Sequence, residues 1–275
     1  MTIASLTSDK LMGPVQSAIA AAARSTGMDF SYLLGQAQVE SSLRPDAKAA
    51  TSSASGLYQF IDQSWLGTVK KHGAQHGLGW AADAISQGAN GRYHVSDPAT
   101  RAHILKLRDD PEIASLMAAE HAADNKAELE ARFGREMGGV DLYMAHFLGL
   151  GGARKFLSAL ENNPDRPAAQ LFPAAAASNR PIFFGEGGRA RSLSEIYDRF
   201  AAKLRRGAEI AAGGKALPPV AAPGNRGVEV VQFAAARSDT ATLDQLLAQG
   251  ERGSLLRPKP DTARLAYMML ASMGG

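Results

Sequence analysis

The residues best suited to chemistry lie in two short runs, Val39-Glu40-Ser41-Ser42 and, a little further on, Gly56-Leu57-Tyr58-Gln59. Glu40 falls in the last turn of an expected helix. The C-terminal end of a helix carries partial negative charge, which disfavours a carboxylate. A partly apolar groove disfavours it too, by withholding solvation. Both effects predict a raised pKa for Glu40, as a carboxyl group needs if it is to protonate a leaving oxygen near neutral pH. Gln59 adds a donor and an acceptor beside it. Gly56 suits a tight backbone approach.

A second acidic feature lies further along. Glu120 follows Ile113 by seven residues and Leu116 by four, which puts it on the apolar face of its helix, with Asp124 one turn on. A carboxylate facing inward is either paired or functional. Pairing with a nearby Arg and lining a groove are both open to Glu120. His72, His76, His94, His103 and His121 are read as surface or packing residues, and no metal site is expected.

Helices must position these groups. Pro14 suits a first helical turn and Gly27 the position just past an end. Asp29 caps a second helix with Phe30, Leu33, Leu34 and Ala37 on its apolar side. Pro45 stops it near Ser42–Leu43. Residues 44–60 read as a loop or short hairpin, with Ser64 capping a helix that begins at Trp65. Residues 76–95, rich in Gly and His, look irregular. Pro98 and Pro111 each follow an Asp and open two helices, the second reaching about Phe133. Val140 to Leu148 is a further helix, and Gly149 with Gly151-Gly152 turns the chain into another around Ala153–Leu160. Ser192-Leu193-Ser194-Glu195 is a capping box that opens a helix over about 193–209.

The expected fold class is therefore all-α. One helical domain with a substrate groove covers residues 1–207. A Pro/Gly-rich linker follows over 208–238, then a short C-terminal region over 239–275. In that region a helix near 240–249 and an amphipathic piece at Thr262–Met273 are expected, each too short to be stable alone.

Of the 275 residues, 45% are hydrophobic, enough for a core, and none is cysteine, which excludes disulfides and thiolate-bound zinc. The formal net charge is +3 and unevenly placed: residues 1–201 balance to −1, while 202–275 balance to +4. No basic run with interleaved aromatics appears, so no nucleic-acid partner is expected. No stretch reaches the ~18 apolar residues of a membrane-spanning helix. The start, Met1-Thr2-Ile3-Ala4-Ser5, does not read as a secretory signal.

The two runs around Glu40 resemble the goose-lysozyme-like soluble lytic transglycosylase (SLT) domain. Glu40-Ser41 matches that family's Glu-Ser pair at a helix end, and Gly56-Leu57-Tyr58-Gln59 its Gly-Leu-Met-Gln, with Tyr58 in place of Met. Ser64-Trp65 resembles the Thr-Trp that opens the family's next helix. Ala145-His146-Phe147-Leu148-Gly149 lies where Ala-Tyr-Asn-Ala-Gly is expected, so His146 stands at the Tyr position and Phe147 at the Asn position. The variant is similar to a branch associated with bacterial appendage assembly. The resemblance covers roughly residues 13–200.

It implies a lysozyme-like helical domain and a peptidoglycan lytic transglycosylase. Glu40 protonates the glycosidic oxygen between N-acetylmuramic acid and N-acetylglucosamine, then acts as base while a 1,6-anhydro ring closes. Ser41 orients the Glu or the acetamido group, Gln59 contacts the substrate, and Tyr58 stacks on a sugar. Gly56, Glu120 and His146 complete the expected substrate-binding set, with His146 replacing the Tyr that bonds the Glu. No cofactor is implied. The partners are glycan strands of peptidoglycan and, through the tail, a flagellar or secretion-system protein, in the periplasm or envelope after non-standard export. Two rival readings remain: a hydrolytic goose-type lysozyme, with Glu120 as second carboxylate, and a non-catalytic peptidoglycan-binding or assembly protein.

Overall fold

The structure, a computed structural model, describes residues 12–50 and 52–213. The expectations for the linker beyond Gly213 and for the C-terminal region lie outside these residues.

The described residues are all-α with one small hairpin. Its helices are α1 (Pro14–Thr26), α2 (Phe30–Ser41), α3 (Asp62–His72), α4 (Gly79–Ala84), α5 (Pro98–Lys106), α6 (Pro111–Phe133) and α7 (Gly139–Asn162). Three short helices follow, α8 (Ala168–Leu171), α9 (Pro173–Ser178) and α10 (Arg180–Phe183), before the long α11 (Leu193–Ala211). Strands β1 (Ile85–Gln87) and β2 (Tyr93–Val95) pair antiparallel, with Ile85 opposite Val95 and Gln87 opposite Tyr93.

The boundaries follow local chemistry. Asp29 accepts from the Tyr32 N–H at 2.6 Å, and Asp110 from the N–H groups of Glu112 and Ile113. Gly27 and Gly134 close α1 and α6 in the left-handed conformation. Ser192 and Glu195 form the capping box of α11. That helix runs to Ala211, past the domain end expected at residue 207.

Two expectations need correction. The helix expected from Trp65 starts at Asp62, because Asp62 places a carboxylate in the first turn and anchors it to Arg101 and Arg108. Residues 76–95 are also ordered: a 3₁₀ turn over Gly73–His76, then α4 and the hairpin. Lys70 bonds the Ala82 carbonyl at 2.8 Å, and Gln63 exchanges two hydrogen bonds with the Tyr93 backbone. Long-range side-chain bonds thus hold a segment whose own sequence has little periodicity.

The core gathers around α2, which is buried along almost its whole length, from Ser31 to Ser41. A helix without a polar face belongs at the centre of its domain. It packs on α1, α6 and, most extensively, α11. The α2–α11 crossing is set by two glycines. A Cβ on Gly35 would come within 2.6 Å of the Leu204 carbonyl oxygen, and one on Gly207 within 2.9 Å of the Gly35 oxygen. Trp65 on α3 is fully buried and donates its indole N–H to the Ile104 carbonyl at 2.7 Å. Truncating such a ring costs about 3–5 kcal/mol. Among the described residues, no helix is long and apolar enough to cross a membrane.

Candidate active site

Glu40 is the penultimate residue of α2, and its side chain is only 8% exposed. The helix ends immediately after it. Ser42 turns left-handed, at φ 56°, and its N–H returns to the carbonyls of Ala37 and Gln38. The Arg44 guanidinium caps the Ser41 carbonyl at 3.2 Å.

The following loop folds back over this end. The Gly56 N–H bonds the Ala47 carbonyl at 2.8 Å. Gly56 sits at φ +81°, and a Cβ there would lie 2.0 Å from the Arg108 carbonyl oxygen. Only glycine fits that contact. Arg108 holds the loop from outside, donating to the carbonyls of Ser53 and Phe60 and to Asp62 at 2.8–3.0 Å. Gln59 holds it from inside, donating its amide to the carbonyls of Ala47 and Gly56 at 3.0 and 2.9 Å.

A cavity of about 160 Å³ opens above Glu40. The loop contributes Gln59, Phe60 and Ile61, α3 contributes Ser64, and α6 contributes His121 and Asn125. From α7 come Tyr143, His146 and Phe147, with Gly149 and Leu150 beyond them. The α7 helix breaks at Gly149 (φ 70°, ψ 163°), so its two halves join across a kink beside the cavity.

Three groups converge on the carboxylate. Tyr143 donates its hydroxyl to Glu40 Oε1 at 2.9 Å. His146 Nε2 lies 3.4 Å from the same oxygen. Lys203 on α11 stands over the Tyr143 ring, 5.8 Å from its centre. Their combined effect corrects the expected direction of the Glu40 pKa. Burial is the largest single influence and pushes it up. The neighbouring His146, the Lys203 charge and the Tyr143 hydrogen bond together outweigh burial and hold the carboxyl below its ordinary value. Burial and the Glu40 charge push the Tyr143 phenol well up, so it stays a donor. Burial, and next the neighbouring His146, push His121 down to about 4, so its ring is neutral at neutral pH.

The expected site residues fall into two groups. Glu40, Gln59 and His146 meet at the cavity. Gly56 supports the loop. Ser41, Tyr58 and Glu120 are placed elsewhere. Ser41 is 1% exposed and donates to the Ala37 carbonyl of its own helix at 3.0 Å, so it does not face the cavity. Tyr58 is also 1% exposed, with its ring packed in the core and lining only a small adjoining space of about 10 Å³ beside His121, Asn125 and His146. Gln59 has both amide hydrogens engaged by the loop, leaving its carbonyl oxygen for other contacts.

Among the described residues, Glu120 has neither an Arg partner nor a place in the cavity wall. It meets His76 Nε2 at 2.7 Å, Gln75 Nε2 at 3.1 Å and His72 Nδ1 at 3.4 Å. Asp124 holds His72 Nε2 at 2.8 Å and Lys71 at 2.7 Å. Among the described residues, no group of three His, Asp or Glu side chains is arranged to hold a metal ion.

Four contributors escaped sequence reading: Tyr143, His121, Lys203 and Arg108. A signal existed for the first. Tyr143 and His146 are three residues apart on one helix and so share a face. His121, Lys203 and Arg108 come from distant elements and carry no local signature. No protein-family model matches the chain.

Proposed function

We propose that this protein is a peptidoglycan lytic transglycosylase in which Glu40 serves first as acid and then as base. One observation carries the reading: among the described residues, Glu40 is the only carboxylate lining the cavity, and it is buried there with donors aimed at it. Most glycosidases flank the scissile bond with two carboxyl groups, the second activating water or attacking the sugar. A site with one carboxylate suits a substrate that supplies its own nucleophiles.

The proposed sequence is as follows. Glu40 gives a proton to the oxygen between N-acetylmuramic acid and N-acetylglucosamine. The bond from the anomeric carbon to that oxygen breaks, and its electron pair leaves with the oxygen. The substrate's acetamido group supports the positive charge left on the sugar. Glu40 then removes the proton of the 6-hydroxyl, whose oxygen bonds to the anomeric carbon and closes the 1,6-anhydro ring. Water is not consumed.

The surroundings suit these steps. The Tyr143 hydrogen bond orients the carboxyl group, and Phe60, Ile61, Phe147 and Leu150 give the cavity an apolar wall. Neutral His121 and Asn125 on the opposite wall offer hydrogen bonds to acetamido or hydroxyl groups. The resemblance of residues 39–42 and 56–59 to the lytic transglycosylase motifs supports the same reading. A two-carboxylate lysozyme fits less well, because Glu120 is held by His72, His76 and Gln75 away from the cavity. Incubation with purified sacculi tests the proposal. The protein should release soluble muropeptides, and the Glu40→Gln variant should release none. Equal release by both would refute it.

A further inference from the structure

A carboxyl group held below its ordinary value is a poor store for the proton that the first step needs. Tyr143 does not supply it, because its phenol is kept protonated by burial and by the carboxylate it bonds. The remaining group within reach is His146. Its Nε2 stands 3.4 Å from Glu40 Oε1, and its side chain is 25% exposed where that of Glu40 is 8% exposed. A proton entering from the groove therefore meets the imidazole before the carboxylate. Catalytic hydrogen bonds are often this long in an empty site and shorten in the complex with substrate.

Resting on the transglycosylase reading, we propose that His146 and Glu40 hold one proton between them, and that His146 Nε2 delivers it to Glu40 Oε1 as the leaving oxygen is protonated. The balance closes over one turnover. The proton moves from Nε2 to Oε1 and then to the departing oxygen. The 6-hydroxyl proton passes to Oε1 and returns to Nε2. His146 is thereby a catalytic residue of this chain, and its place one turn after Tyr143 puts both groups on one carboxylate oxygen. The other titratable groups facing the pair are Tyr32 from α2, His121 from α6, Tyr143 from α7 and Lys203 from α11. The two tyrosines and neutral His121 carry no charge at neutral pH, and Lys203, whose own pKa burial lowers, favours the ionised carboxylate.

Two interacting groups titrate as a pair, with macroscopic steps that spread apart. The low step is seen at the carboxyl carbon, and loss of the shared proton is the alkaline limb of activity. A lone acid would show one value in both measurements. The test is carbon-13 NMR of the full-length protein labelled in glutamate, with the Glu40 signal identified by its loss in Glu40→Gln. It is paired with the pH profile of kcat/KM on sacculi, for wild type and His146→Gln.

In the wild type the carboxyl midpoint should lie below the alkaline limb by about two pH units or more, the spacing of ordinary Glu and His. In His146→Gln the midpoint should rise, the limb should fall, and the two should coincide. His146→Asn repeats the test with a shorter amide. Coinciding values in the wild type, or a variant that loses rate without moving either, would overturn the inference while the transglycosylase reading stands. A wild type that cleaves nothing would overturn both, whatever the carboxyl midpoint does.

Discussion

Glu40 and Glu120 each face histidine within ion-pair distance, at 3.4 Å from His146 and 2.7 Å from His76. The residue types match, but the settings do not. Glu40 lies at the end of a buried helix, under a cavity, with one oxygen shared by a phenol and an imidazole. Glu120 lies on α6 beside the end of α3, and His72, His76 and Gln75 close around both of its oxygens. Asp124 and Lys71 extend that cluster towards solvent, where Lys71 is 62% exposed. Reactivity is therefore assigned by burial and by access to a cavity, since a Glu–His pair alone occurs in both places.

The largest effect that would sharpen the contrast comes from Glu40→Gln. Loss of a general acid costs on the order of 10²–10⁴-fold in rate, and among the described residues no second carboxylate lines the cavity, so turnover should fall by at least that much. The same variant tests the electrostatics. The folded-state pKa of Glu40 is lowered, so its ionised form stabilises the fold above the ordinary value of 4.5, and this contribution is lost as the pH falls through the lowered value. Thermal melts should therefore show wild type losing stability more steeply than Glu40→Gln on acidification below 4.5. Parallel curves would contradict the assigned direction.

Tyr143→Phe comes next. A hydrogen bond to a charged group is worth about 1.5–3 kcal/mol, so kcat/KM should fall roughly 10- to 100-fold. The Glu40 carboxyl midpoint should rise, because a bond that favours the ionised form is gone. An unchanged midpoint would show that the 2.9 Å contact is not made in solution.

Much of this was legible in the sequence. The caps at Asp29 and Ser192 appear where expected, because each side chain bonds a backbone N–H three residues away, and Pro98 and Pro111 open their helices as first-turn prolines. Glu40 and Gly56 were legible for a similar reason: a helix stop and a glycine-bounded loop are local features. The burial of Tyr58 and Ser41 was not legible, because a motif fixes spacing along the chain and leaves burial open. Both turned inward, one into the core and one onto its own helix. The direction of the Glu40 pKa was misjudged because all three groups that lower it arrive from α7 and α11, more than 100 residues later. Arg108, which braces the loop over the site, was invisible for the same reason.

Smaller effects should mark the other side of the comparison. Glu120→Gln should leave kcat/KM within about threefold of wild type and lower stability by about 1 kcal/mol or less, as partly exposed ion pairs do. A rate loss approaching that of Glu40→Gln would erase the distinction between the two sites and revive the two-carboxylate reading. The smallest effect in vitro is expected from removing residues 214–275. Cleavage of sacculi should be unchanged, while export or localisation in the cell should fail if the tail engages a secretion or flagellar component. Unchanged localisation would remove that role.

The central claim, that one carboxyl group and no water carry out the cleavage, is tested most directly by the mass of the new chain ends. Soluble muropeptides from wild-type digestion should end in 1,6-anhydro-N-acetylmuramic acid, one water lighter than a reducing end, and the Glu40→Gln digest should lack them. Reducing ends released by the wild type would contradict the account, because they would place an activated water in a site where only one carboxylate has been found.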